Sequence, residues 1–336
     1  MNNPFYVVLI LILFGFSSCN NNPEFNFEKD NTFPVVKNLS EFKETSFLTT
    51  LESSFDSENN GVYAVSLLLA WNEIRNEIGE PFQNFTSEEL ELIDDSKSFK
   101  KVLADNEYSS SVEIENSAIR AKAYFKKSLP FEEPLEIDDE PLIFLEREVT
   151  SFGFYGPNNI SRIIYFNSDD DFAIKLYPKD NEHEIILLKT DFKNKLVLIE
   201  EIQRLLKLQS EFKEKRNDRN DWKYYYNNDD QVRIPIIEFN IENNYSKIEG
   251  SQFSAGSRKF NVDLAYQRTA FILNEKGAEV ESSASMTVTE EMIEEDLPKP
   301  KNLFFDKPYL ILLKRKDSKN PYFAMFVGNS ELMIKK

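Results

Sequence analysis

Along this chain the spacing of apolar residues changes period several times, and each change marks an element. From Tyr63 to Gly79, "YAVSLLLAWNEIRNEIG" places apolar residues at helical intervals and stops at a glycine, which predicts a helix. The polar stretch after it is weakly patterned, with short helices predicted over 88–94 and 98–105. From Ala118 to Lys189 the text becomes strand-like in short runs: "AKAYFKK", "EPLIFLEREV", "SFGFYG", "SRIIYF", "FAIKLYP" and "EIILLKT". Acids, Asn, Gly and Pro separate these runs, as turns between strands require. Helical spacing returns in "LVLIEEIQRLLKLQSEFKEK", with Leu196, Ile199, Ile202, Leu205, Leu206 and Phe212 on one broad face. Strand patterns resume in "QVRIPIIEFNIE", "FNVDLAYQRTAFIL", "PYLILLKRK" and "PYFAMFVG". No repeat or Gly/Ser linker divides these segments, so they predict one α+β domain dominated by mostly antiparallel sheet.

One segment fits two readings. In "NEKGAEVESSASMTVTEEM" a glycine, Gly277, precedes an alternation of small or apolar residues with polar ones. Ala278, Val280, Ser282, Ala284, Met286 and Val288 share one face, which is the period of a half-buried strand. The continuation "EEMIEEDLPKP" reads as exposed loop. The residues alone leave strand and loop both open.

Charge and leader narrow the setting. With 58 acids against 40 bases, the net charge of −18 opposes nucleic acid and anionic membrane surfaces as partners. The apolar run "FYVVLILILFGFSSC" has the length of a secretory signal and is short for a transmembrane helix. Its end resembles a bacterial lipoprotein signal, although Phe16 and the uncharged "MNNP" depart from that pattern. The alternative is a plain signal peptide or an uncleaved anchor. The resemblance implies a signal peptide over 1–18, lipidation at Cys19, a tether over 19–40 and a domain over 41–336. Asn20 after that cysteine resembles lipoproteins sent to the bacterial outer membrane, with the membrane face left open. Cys19 is the only cysteine, so no intramolecular disulfide can form.

Catalytic chemistry finds little support. The single histidine, His183, reads as a solvated turn residue between strands. No His/Cys cluster has metal-ligand spacing, and nine glycines form no phosphate-cradling loop. Asp169, Asp170 and Asp171 read as a solvated hairpin turn, with a hard cation as the alternative. The expectation is a non-enzyme without metal or cofactor.

The C-terminal half resembles the serpin family. "RTAFILNEKGAEVESSAS" is similar to that family's strand and hinge, and "NLFFDKPYLILLKRKDSKNPYFAMFVGN" to its closing segment. "VRIPIIEFNIENNYSKIEG", "AYFKKSLPFE", "EPLIFLEREVTSFGFYG" and "FAIKLYPKDNEHEIILL" fall in the family's order. The likeness runs from about Ala118 to Asn329 and thins before that, where Tyr63–Gly79 stands for the family's core helix.

The resemblance implies a serpin-like α+β fold with a large, mostly antiparallel central sheet, smaller sheets and a reduced set of helices. An exposed reactive-centre loop would span about 277–300. It further implies a monomeric protease inhibitor whose cleaved loop enters the central sheet as a new strand, a known form of switch. Gly277 would be the hinge, and Ala278, Val280, Ser282, Ala284, Met286 and Val288 the inserting face. Twelve extended residues reach about 40 Å, suited to a large sheet. Counting from Gly277 places the reactive bond near Glu291–Met292. No Lys or Arg lies between Lys276 and Lys299, so the target protease would accept Glu, Met or Thr and would not be trypsin-like. Val280 and Glu281 stand where inhibitory members prefer alanine. Gln267 takes the place of a family histidine, and Ala121 that of an asparagine. These departures keep a second reading in view: a non-inhibitory serpin-fold lipoprotein with a binding or structural role at the cell surface.

Overall fold

A computed structural model describes residues 33–115, 118–217, 220–277 and 299–336. They fall within one unit, Phe33–Lys336, so the last residues of the expected tether belong to the folded body.

The largest layer is a seven-stranded sheet in the order β12–β13–β14–β22–β23–β4–β2. Its strands are β2 (Thr45–Leu48), β4 (Asn60–Ala64), β12 (Ser161–Ser168), β13 (Asp171–Leu176), β14 (His183–Lys189), β22 (Tyr309–Arg315) and β23 (Phe323–Val327). All pairs are antiparallel except β2 with β4. β4, β14 and β23 are buried at every position. Strands covered on both faces lose the two-residue alternation. That loss explains one error in the sequence reading, because Tyr63 and Ala64 end β4 rather than begin the helix.

The helix itself, α1 (Ser66–Ile78), stops where Gly79 takes a left-handed φ of 70° that residues with a side chain seldom adopt. α2 (Glu88–Asp95) starts at Ser87, whose hydroxyl accepts the Leu90 N–H. The helix expected over 98–105 is absent; those residues form turns. α3 (Leu198–Glu214) buries Leu198, Ile202 and Leu205, while Leu206 is exposed and Leu196 belongs to a strand.

A second layer comes in two pieces. One is the sheet β1–β17–β20, made of β1 (Lys37–Asn38), β17 (Ile237–Asn244) and β20 (Tyr266–Leu273). β20 alternates half-buried and buried along its whole length, as its sequence predicts. The other piece is the hairpin of β6 (Tyr108–Glu115) and β7 (Ala118–Phe125). α1 packs against β6, β7 and β20 together.

A four-stranded sheet, β21–β16–β11–β8, closes one end: β8 (Glu136–Ile137), β11 (Ser151–Tyr155), β16 (Gln231–Pro235) and β21 (Asn302–Phe304). Smaller ladders join β9 (Leu142–Phe144) to β10 (Arg147–Val149) and β3 (Ser54–Asp56) to β15 (Lys195–Val197). β18 (Gln252–Ala255) lies between β5 (Phe82–Gln83) and β19 (Arg258–Asn261). The result is α+β, with antiparallel pairs outnumbering parallel ones.

Candidate functional site

The segment with two readings falls in the sequence between the end of β20 and β21. Its first root is a tight reversal. Gly277 N–H donates to the Asn274 carbonyl at 3.1 Å, and the Asn274 side chain accepts the Lys276 N–H at 3.1 Å. Asn274 and Gly277 form an antiparallel bridge, so at Gly277 the chain has turned back against the direction of β20. Gly277 holds φ at 79°, and a Cβ there would stand 2.6 Å from the Phe131 nitrogen and 2.7 Å from the Leu129 carbonyl oxygen. Conformation and space both demand glycine. The reversal is fastened to the segment after β7: Phe131 N–H donates to Lys276 O at 3.1 Å and Leu135 N–H to Glu275 O at 2.7 Å.

Among the described residues no ladder joins β20 to β7. Yet both rest on neighbouring residues of the larger sheet. Phe271 of β20 stacks on Phe323 at 4.6 Å, and Phe125 at the end of β7 meets Tyr322 edge-on at 5.8 Å. The two strands present their C-terminal halves to that pair. A strand running back from Gly277 would lie antiparallel to β20.

The return root is held by two buried lysines. Lys301 is 1% exposed, and its ammonium pairs with Asp230, itself fully buried. It also donates to Trp222 O at 3.2 Å and lies over the Trp222 and Phe166 rings at 5.4 and 5.9 Å. The Lys301 N–H adds a 2.7 Å bond to Asp230 Oδ1. Lys189 of β14 reaches Phe304 O at 2.8 Å and Asp306 Oδ1 at 2.6 Å, which fixes the far end of β21. It also meets Asp170 at 2.9 Å. The acidic triplet is thus a hairpin turn whose acids are engaged. Lys307 and Lys189 hold the Asp170 carboxyl below its usual range, and Asp171 accepts from Tyr165 at 2.8 Å. No group of three metal-ligating side chains occurs among the described residues.

A charged cluster ties the open end of the β6–β7 hairpin to the seven-stranded sheet. Glu107, just before β6, pairs with Lys127 just after β7 and accepts from Arg315 at 3.0 Å and the Ala104 N–H at 2.7 Å. His183 lies between Glu107 (3.2 Å) and Asp180 (2.8 Å), with its side chain wholly buried. Its place in the sequence suggested solvation; the partner that buries it, Glu107, is far off along the chain. Closed in by two carboxylates and the edge of Tyr322, it has no access to a substrate. Burial pushes the Glu107 carboxyl up, but its hydrogen bonds to Ala104, Lys127 and Arg315 outweigh that and hold it below its usual range. Burial acts likewise on Asp180, where His183 and the Glu182 N–H prevail and lower it.

Gln267 fastens the other strand. Its amide donates to Ala64 O at 3.0 Å and Ser66 Oγ at 2.9 Å, and its oxygen accepts from the buried Tyr245 hydroxyl. These bonds tie β20 to β4 and α1. Ala121, opposite Val112 on the hairpin, contributes a methyl group only.

Of the residues expected at the site, Gly277 is within the described structure. Ala278, Val280, Ser282, Ala284, Met286, Val288, Glu291 and Met292 lie outside the described residues, as does Cys19. Sequence reasoning missed Lys301, Asp230, Lys189 and Glu107. Their partners are far apart in the chain, and "PKPK" offers no local sign that Lys301 is buried.

No protein-family model matches the chain, and no curated protein matches it. Among solved structures it is similar to thyroxine-binding globulin in complex with thyroxine, at 11% identity and a TM-score of 0.39. That match covers 63% of this chain and 56% of the other. It is also similar to human glycosylated kallistatin, at 11% identity and a TM-score of 0.41, covering 62% of this chain and 54% of that one. The chain thus spans little more than half the length of each.

Proposed function

We propose that the chain is a serpin-like protease inhibitor that acts by inserting its cleaved loop between β20 and β7. The observation that carries the reading is the reversal at Gly277 beside two strands that share a floor but no ladder. A strand placed there would supply backbone hydrogen bonds to both edges and bury its inner face. The alternation from Ala278 to Val288 supplies such a face. A protease attacking near Glu291–Met292 would form an acyl-enzyme on the upstream half. Insertion of that half would carry the protease away, while the downstream half stays with β21. The target accepts Glu, Met or Thr at the cut and is not trypsin-like. By the leader's resemblance, lipid on Cys19 would hold the inhibitor at the bacterial outer membrane.

The test is cleavage between Thr287 and Met292 followed by thermal unfolding, with a protease panel scored for an SDS-resistant covalent complex. The reading expects a higher melting temperature after the cut. An unchanged melting temperature overturns insertion. Ala284→Arg is expected to convert inhibitor into substrate, and unchanged inhibition would overturn the assignment of the inner face.

A second reading, a non-inhibitory surface protein of this fold, is favoured by Gln267. Its bonds anchor β20 to β4, α1 and Tyr245, and Val280 and Glu281 stand early in the inserting stretch. Cleavage without stabilisation and without a covalent complex is its signature.

A further inference from the structure

At the outer edge of the seven-stranded sheet, β12 borders a cavity of about 310 Å³ beneath the segment that follows α3. Arg162, Ser161, Arg216, Tyr224, Tyr225 and Tyr226 supply the side chains that matter. The aromatic wall is rigid. Tyr224 stacks on Phe212 at 4.0 Å with 17° between the rings and donates its hydroxyl to the Phe212 carbonyl. The Arg216 guanidinium lies over the other part of this stack, 5.1 Å from the Tyr224 centroid. Tyr226 is buried, with its hydroxyl 2.7 Å from Ser161 Oγ. The Asn158 side chain caps the turn below by accepting the Ile160 and Ser161 N–H groups at 2.9 and 2.8 Å.

Two arginines border this cavity, one of them ion-paired to Asp221. In a chain with 58 acids and 40 bases, arginines readily find carboxylates. Arg75, Arg204, Arg233, Arg258 and Arg315 each sit on one. Arg162 is exposed and has no hydrogen-bond or ion-pair partner among the described residues, and no acid lines the cavity. Arg216 is ion-paired with Asp221 through its Nε. The Tyr225 phenol, 46% exposed, also lacks a partner.

We propose that this cavity binds a small carboxylate carrying one or two rings. A carboxylate offers paired oxygens to the planar donors of Arg162 and Arg216, the geometry for which guanidinium groups are suited. A ring lies against Tyr225, while Tyr224 and Tyr226 shape the floor. The volume is at the lower end of small-molecule sites, which run from about 300 to 1,000 Å³. The net charge of −18 disfavours a long polyanion on the same surface.

The test uses the full chain and two probes, 4-hydroxybenzoate for an aromatic ring and glucuronate for a sugar ring. Each is titrated beside its neutral amide, by calorimetry and by tyrosine fluorescence. The proposal expects one or both carboxylates to bind, the amides to bind at least tenfold more weakly, and Arg162→Ala to lose at least tenfold in affinity at an unchanged melting temperature. Arg162→Lys recovers part of the affinity, and higher salt weakens it. Equal binding of amide and carboxylate overturns the proposal. So does undiminished binding by Arg162→Ala, or no binding of either probe at millimolar concentration.

Discussion

Replacing Lys301 by methionine is expected to weaken the return root by a calculable amount. Methionine keeps most of the side-chain length and removes the ammonium, which leaves the Asp230 carboxylate fully buried and opposite a thioether. Removing one partner of a buried ion pair costs about 3–5 kcal/mol. Asp230 retains two donors, the Lys301 N–H at 2.7 Å and the Asn227 N–H at 2.8 Å, which argues for the lower end. The Trp222 carbonyl and the faces of Phe166 and Trp222 lose their cation as well. With an unfolding entropy near 2.1 cal/mol/K per residue, a unit of roughly 300 residues loses about 0.6 kcal/mol per degree at its midpoint. A loss of about 3 kcal/mol then lowers the melting temperature by about 5 °C. Calorimetry of Lys301→Met, Asp230→Asn and the pair tests the reasoning. Because both changes act on one contact, the double variant should be less damaged than the sum of the singles. A drop below about 1 °C for Lys301→Met would show that the pair contributes nothing net, as some buried pairs do. Strict additivity would show that the two residues are not coupled.

Three further outcomes follow from the other contacts. Glu107→Gln should cost about 3 kcal/mol at neutral pH, because Lys127, Arg315 and His183 lose their shared anion. Folding lowers the Glu107 carboxyl from its ordinary 4.5, so its contribution is whole above that value and is lost as pH falls through the depressed one. Urea titrations from pH 7 down to about pH 3 should therefore show a shallower acid decline in the variant than in the parent; parallel declines would refute the assignment. Gly277→Ala should destabilise by about 2 kcal/mol, from left-handed φ and the approach to Leu129 and Phe131, and should speed amide exchange at Phe131 and Leu135. Unchanged exchange there would detach the reversal from the segment after β7. Gln267→Leu should cost about 2 kcal/mol by orphaning the buried Tyr245 hydroxyl, measured as a lower urea midpoint at constant slope.

What could be read in the sequence was whatever depends on neighbours in the chain. β20 announced itself because one face is more buried than the other, and α1 because Gly79 ends it in a conformation open to glycine. β4 was hidden because burial on both faces erased its alternation and joined it to the helix text. The turns at 98–105 carry helix-tolerant residues and are decided by tertiary bonds such as Asn320 to the Ser98 carbonyl. At the site, the glycine and the alternation after it were visible. The clamps around them were not, because burial of a lysine or a histidine depends on a carboxylate brought from elsewhere in the fold. Lys301 needs Asp230, and His183 needs Glu107.

The short strand β1 decides how this molecule can meet others. Lys37 and Asn38 pair in parallel with Ile241 and Glu242, and the Asn240 amide reaches the Pro34 carbonyl at 2.8 Å. That cover blunts the outer margin of β17, where an uncovered row of amides and carbonyls would invite a foreign strand. The cover reaches the Ile241–Glu242 part of β17. The opposite flank of this small sheet, along β20, is where the proposed insertion would add a strand. Trimming residues 33–38 would uncover that margin of β17 and open it to strand pairing.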